Sequence, residues 1–179
     1  MPLPPDFRLV SCGSSRAQEC LDMCKTILAD IAAKNPSWYL IDETDDEYRA
    51  LFSSPECFAL GIEAPDGTLA GCGVASYRAA ELERFRPYIP AEDFAVPGRV
   101  GYVEFIQVAL GYRGRGFQRV FFQELEKILV ERGAKYLTSV VSPDNKHSLA
   151  NFHKEGYREV GRYVHQRTGF PRLLMIKNV

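Results

Sequence analysis

The chain has 179 residues, 46% of them hydrophobic and 25% charged, with a formal net charge of −1. That length and apolar content suit one globular domain over residues 1–179 with a full core. The balanced charge gives no electrostatic case for nucleic acid, and no run of 18 apolar residues points to a membrane span. The start, Met1-Pro2-Leu3-Pro4-Pro5-Asp6, has neither the basic region nor the apolar run of a secretory signal, so a cytoplasmic location is the default expectation.

Residues 7–12 read as a short strand, followed by a Gly13-Ser14-Ser15 turn. From 17 to 33, Cys20, Leu21, Cys24, Ile27, Leu28 and Ile31 recur at spacings of three and four, which predicts an amphipathic helix. Asn35-Pro36 ends it. The acidic, cap-rich run Asp42-Glu43-Thr44-Asp45 opens a second helix through Phe52. Residues 58–63 and 69–75 are strands joined by an Asp66-Gly67 hairpin signal. Residues 77–98, polar and broken by Pro87, Pro90 and Pro97, read as an excursion that either lines a substrate mouth or is a solvated insertion. Its acidic residues Glu81, Glu83, Glu92 and Asp93 suit a cationic acceptor or a solvated face equally.

Residues 100–110 form a central strand, 117–131 a helix stopped by Gly133, and 136–141 a buried strand. A turn and cap at 142–145 leads into a short helix over 148–155, stopped by Gly156. Residues 158–164 and 173–177 are the last strands, and could pair across a dimer. Alternation of strands and helices predicts a three-layer α/β domain. The five Cys read as core residues, and neither they nor His147, His153 and His165 show metal-ligand spacing.

The most informative stretch is Val108-Ala109-Leu110-Gly111-Tyr112-Arg113-Gly114-Arg115-Gly116-Phe117-Gln118. A strand runs through a Gly- and Arg-containing turn straight into a helix. Unpaired N–H groups and the positive end of a helix dipole then meet at one point, which suits phosphate. Glycine lets the backbone approach closely. Arg113 and Arg115 add bidentate donors. An ordinary strand-to-helix turn would read the same way locally.

Arg113-x-x-Gly116 resembles the acyl-CoA signature, Gln/Arg-x-x-Gly-x-Gly/Ala, of the GNAT superfamily of N-acetyltransferases. Downstream, Asn145-x-x-Ser148-x-x-x-Phe152-x-x-x-Gly156-Tyr157 resembles that family's second signature. The resemblance implies a three-layer α/β/α fold around a mixed, mostly antiparallel sheet of about seven strands. It also implies acetyl-CoA as co-substrate, no metal, and an amine of a small molecule or peptide as acceptor. The coenzyme's diphosphate would sit on Arg113, Gly114, Arg115, Gly116, Phe117 and Gln118. Its pantetheine arm would lie along the backbone of Ile106 and Val108, as an added strand would. Asn145 and Ser148 would hold the arm, although both also suit helix capping. Gln118 departs from the pattern and would either crowd the phosphate or donate to it.

Transfer needs a base for the amine. Glu104, on the central strand, shares a face with Ile106 and Val108 by period two. It is expected either to act as that base or to pair with an Arg such as Arg99 or Arg115. Phe152 stands where the family often has a proton-donating Tyr, so water or another residue must protonate the thiolate. The rival reading is a module that binds acyl-CoA without transfer. A nucleotide-binding loop is disfavoured because no Gly-Lys-Ser/Thr follows.

Overall fold

The computed structural model describes residues 3–38 and 43–179. Met1 and Pro2, and Asp42 of the acidic run expected to open the second helix, lie outside these residues.

Seven strands form one sheet: β1 (Arg8–Ser11), β2 (Cys57–Glu63), β3 (Leu69–Ser76), β4 (Val100–Val108), β5 (Tyr136–Val141), β6 (Arg158–Val164) and β7 (Pro171–Asn178). Their order is β1-β2-β3-β4-β5-β7-β6. Every neighbouring pair is antiparallel except β4 and β5. The predicted β2–β3 hairpin is present, with Gly67 at φ +87° in its turn.

One face carries α5 (Phe117–Glu131) and α6 (Lys146–Lys154). Phe121, Phe122, Leu125 and Leu129 of α5 are fully buried, with the helix packed on β2, β3 and β4. The close approach depends on glycine in the strands: a Cβ on Gly71 or Gly73 would meet Phe121 or Leu125, and one on Gly101 would meet Leu129 at 2.8 Å. The other face carries α1 (Ala17–Lys34) and α2 (Asp45–Leu51) over β1–β4. Thr44 and Glu47 form a capping box that starts α2. Tyr48 of α2 stacks on Phe105 of β4, with centroids 5.2 Å apart, and its hydroxyl donates to Gln107 Oε1 at 3.0 Å. Those contacts fix α2 above the central strand.

The 77–98 segment is not a solvated insertion; it is ordered, and Glu81 and Arg84 from it line a cleft beside β4. It folds into α3 (Ala79–Leu82), a 3-10 stretch (Glu83–Tyr88) and α4 (Ala91–Phe94). Phe85 and Ile89 bury themselves against Tyr102, Val140, Leu174 and Ile176, covering the β4–β7 half of the sheet. The three prolines hid this core from periodicity. No helix among the described residues is long and apolar enough to cross a membrane.

Candidate active site

β4 departs from its neighbours twice, and both departures shape the site. On one side it pairs with β5 only from Val100 to Tyr102. Thr138 Oγ1 donates to the Gly101 carbonyl at 2.8 Å within that stretch, Ser139 Oγ donates to the Val103 carbonyl at 2.9 Å just past it, and beyond this the strands part. On the other side, against β3, the register shifts: Val74 faces Phe105 but Ala75 faces Val103, which leaves Glu104 unmatched in a bulge. Val103, Ile106 and Val108 pack towards α5, while Phe105 packs towards α1 and α2. Glu104 therefore does not share a face with Ile106 and Val108, as period two had implied. The extra residue turns it to the opposite face, where it meets Ser76.

The gap between β4 and β5 opens into a cleft of about 910 Å³. Of the residues singled out from sequence, Glu104, Ile106, Val108, Arg113, Gly114, Gly116, Phe117, Gln118, Asn145 and Ser148 all line it. Arg115 does not. Its guanidinium lies 5.9 Å over the Phe7 ring and 5.6 Å over Tyr112, outside the cleft. α1 contributes Ile27 and Asp30, and the 77–98 segment contributes Glu81 and Arg84. Of that segment's other acidic residues, Glu83 pairs with Arg86, and Asp93 with Tyr136 and Lys135.

At one end of the cleft, Gly114 and Gly116 both take left-handed conformations, φ +79° and +78°, which only glycine adopts cheaply. Gly116 is the N-cap of α5, where no side chain caps the helix and no acidic residue occupies the first turn. The helix start thus presents amide donors and a positive dipole with nothing of its own to neutralise them. A Cβ on Gly114 would meet no atom within 4 Å, so the space above that turn is open. Arg113 reaches across to Asp30 of α1 at 3.4 Å. Gln118 Oε1 accepts from Asn151 Nδ2 of α6 at 2.7 Å, which ties the helices on either side of the cleft together. Asn145 caps α6, with its Oδ1 accepting from Ser148 N at 3.0 Å.

At the other end sits Glu104, its side chain 5% exposed. Its Oε1 accepts from Ser76 Oγ at 2.5 Å and lies 3.4 Å from Arg78 Nη1. The ion-pair partner is thus Arg78 of the 77–98 segment, and neither Arg99 nor Arg115. Burial pushes the Glu104 carboxyl up to about 7, against the opposing pull of Ser76 and Arg78; Glu81 and Glu43 add to the rise. A carboxyl that titrates near neutrality in a cleft can take and release protons under ordinary conditions. Phe152 is buried edge-on to Phe122 and Tyr157, at 4.8 and 5.1 Å, and lines the cleft without a hydroxyl.

Sequence reasoning missed Ser76, Arg78 and Glu43. A carboxylate in an apolar strand implies a compensating partner. Nothing in the local spacing says which cation supplies it.

A family model described as the acetyltransferase (GNAT) family matches residues 25–157. Among curated proteins no sequence match is found. Among solved structures, a GCN5-related N-acetyltransferase from Kribbella flavida superposes with a TM-score of 0.73 at 18% identity, covering 98% of this chain and 99% of that one. NAA60 from Arabidopsis thaliana, in complex with acetyl-CoA, gives 0.73 at 15% identity, covering 97% and 98%. The ribosomal-protein-S18-alanine N-acetyltransferase from Escherichia coli gives 0.69 at 12% identity, covering 97% and 94%.

Proposed function

Because this chain belongs to the GNAT acetyltransferase family, whose acyl donor is acetyl-CoA, we propose that it acetylates a primary amine of a small molecule or peptide by direct attack in a ternary complex. The observation that carries the reading is the pairing of an uncapped, glycine-flanked helix start with a buried carboxyl near neutrality, at two ends of one cleft.

The amides between Gly114 and Gln118 hold the diphosphate, with Arg113 beside them. The free flank of β4 at Ile106 and Val108 takes the pantetheine arm as a strand would, and Asn145 and Ser148 of α6 border it. The thioester then lies where β4 and β5 part. The acceptor enters on the opposite face, between α1 and the Glu81–Arg84 rim. Glu104 takes a proton from the ammonium, directly or through a water. The freed nitrogen attacks the carbonyl carbon, the C–N bond forms, and the C–S bond breaks with its electron pair on sulfur. Phe152 has no proton to give, so the second proton of the attacking nitrogen passes through water in the open cleft to the departing thiolate. Positioning of the two reactants supplies much of the rate.

Calorimetric titration with CoA and acetyl-CoA, followed by thioester consumption over a panel of amines, tests the reading. Binding together with turnover for at least one amine is expected. Absence of heat with CoA thioesters refutes the coenzyme site. Tight binding with no turnover for any amine class leaves an acyl-CoA-binding module in place of an enzyme.

A further inference from the structure

We infer that Arg78 and Ser76 are positioning residues that lock one oxygen of Glu104, Oε1, and leave the other, Oε2, as the proton acceptor facing the cleft. The inference rests on the assignment of Glu104 as base. Ser76 Oγ donates to Oε1 at 2.5 Å and itself accepts from the Arg78 backbone N–H at 3.3 Å. The hydroxyl has one proton, and with its oxygen facing a donor that proton is committed to Glu104. Arg78 Nη1 approaches the same oxygen at 3.4 Å. Among the described residues no hydrogen bond falls on Oε2. One side chain from β3 and one from the turn into α3 therefore fix the plane of a carboxylate on β4.

Arg78 is itself steadied from the far side. Its Nη1 lies 3.6 Å from Glu43 Oε1, on the segment leading into α2. The charged and titratable groups around Glu104 are Arg78 and Glu81 beside and on α3, Glu43 ahead of α2, Tyr102 on β4 and Cys57 on β2. Arg78 is the cation among them that opposes the burial of Glu104. Without it the base would hold its proton through the range in which it has to work.

The test is a 13C-detected titration of the glutamate carboxyls in the full chain, with E104Q assigning the signal. Alongside it, thioester consumption is followed against pH with acetyl-CoA and a mixture of spermidine, lysine and a peptide with a free N-terminus. R78M should move the Glu104 midpoint up by about one pH unit, the scale for loss of an opposite charge at this range. R78K should restore most of it. S76A should also move it up. E43Q, which removes a negative charge, should move it down. The acid limb of the rate profile should follow the midpoint in each case. Should R78M fail to fold, S76A and E43Q still carry the test through their opposite signs. A Glu104 midpoint unmoved in R78M, or in both S76A and E43Q, overturns the inference. Full activity in E104Q would instead sink the base assignment, while the titration shifts would still report whether Arg78 and Ser76 hold the carboxylate.

Discussion

Replacing Glu104 by Gln should make the protein more stable at pH 8 while it abolishes turnover. The folded chain holds the Glu104 proton far more tightly than an unfolded one, with a midpoint at about 7 against the ordinary 4.5. Stability linked to this group is therefore fully present below about pH 4.5 and falls as pH rises through 7. At 1.36 kcal/mol per pH unit, the full effect is ~3 kcal/mol at pH 8. Gln keeps the shape and can still accept from Ser76, but it carries no charge to desolvate. For a chain of this size ~3 kcal/mol corresponds to roughly 6–12 °C in melting temperature. The assay is thermal or urea unfolding of both proteins at pH 4.5 and pH 8. The variant should gain at pH 8 and show little gain at pH 4.5. An equal difference at the two values would mean that Glu104 is not held against ionisation by burial, and the case for a base poised near neutrality would go with it.

Three further outcomes bear on the coenzyme site and the core. Gly116→Ala forces a Cβ into a left-handed conformation, φ +78°. It should cost ~1–2 kcal/mol in unfolding experiments and weaken CoA binding at least tenfold by calorimetry, about 1.4 kcal/mol or more; unchanged affinity would count against the helix-start cradle. Gln118→Ala removes the link to Asn151 and should weaken CoA several-fold while leaving the phosphate-free fragment pantetheine untouched. An equal loss for both would place Gln118 at the arm instead of the diphosphate. Leu125→Ala, at a fully buried position beneath Gly73, should cost about 3–5 kcal/mol in urea unfolding with the CoA affinity of the folded fraction preserved.

Much of the architecture was legible because α1 and α5 display their buried faces in regular spacing, and Gly67, Gly133 and Gly156 mark turns at left-handed angles. The proposed coenzyme end rests on a related signal. Its chemistry would belong to neighbouring backbone groups, so a run such as Gly114 to Phe117 can suggest it. The 77–98 segment was opaque because its buried residues, Phe85 and Ile89, although four apart, straddle Pro87 in a short 3-10 stretch and are too few to mark a face. The surroundings of Glu104 were opaque because they are assembled from β3, the turn into α3 and the segment before α2. Residues 43, 76, 78 and 104 have no mutual spacing to read.

The bulge in β4 reconciles two demands that a regular strand cannot meet together. Ile106 and Val108 have to face α5 to complete the core and keep the strand's free flank in line with the start of that helix. With strict alternation Glu104 would face α5 too, placing an ionisable carboxyl among Phe121, Leu125 and Leu129 with no partner, at a cost of several kcal/mol. One unmatched residue opposite Val74 and Ala75 reverses the alternation from Glu104 back towards Val100, so Val103 faces α5 and Glu104 does not. It then meets Ser76 and Arg78 on the α1–α2 face, half-compensated, with one oxygen held and the other open. In the proposed reaction the coenzyme and the acceptor would thus approach from opposite faces of a single sheet. They would meet where β5 leaves β4, next to Glu104, whose burial raises its affinity for a proton towards neutrality.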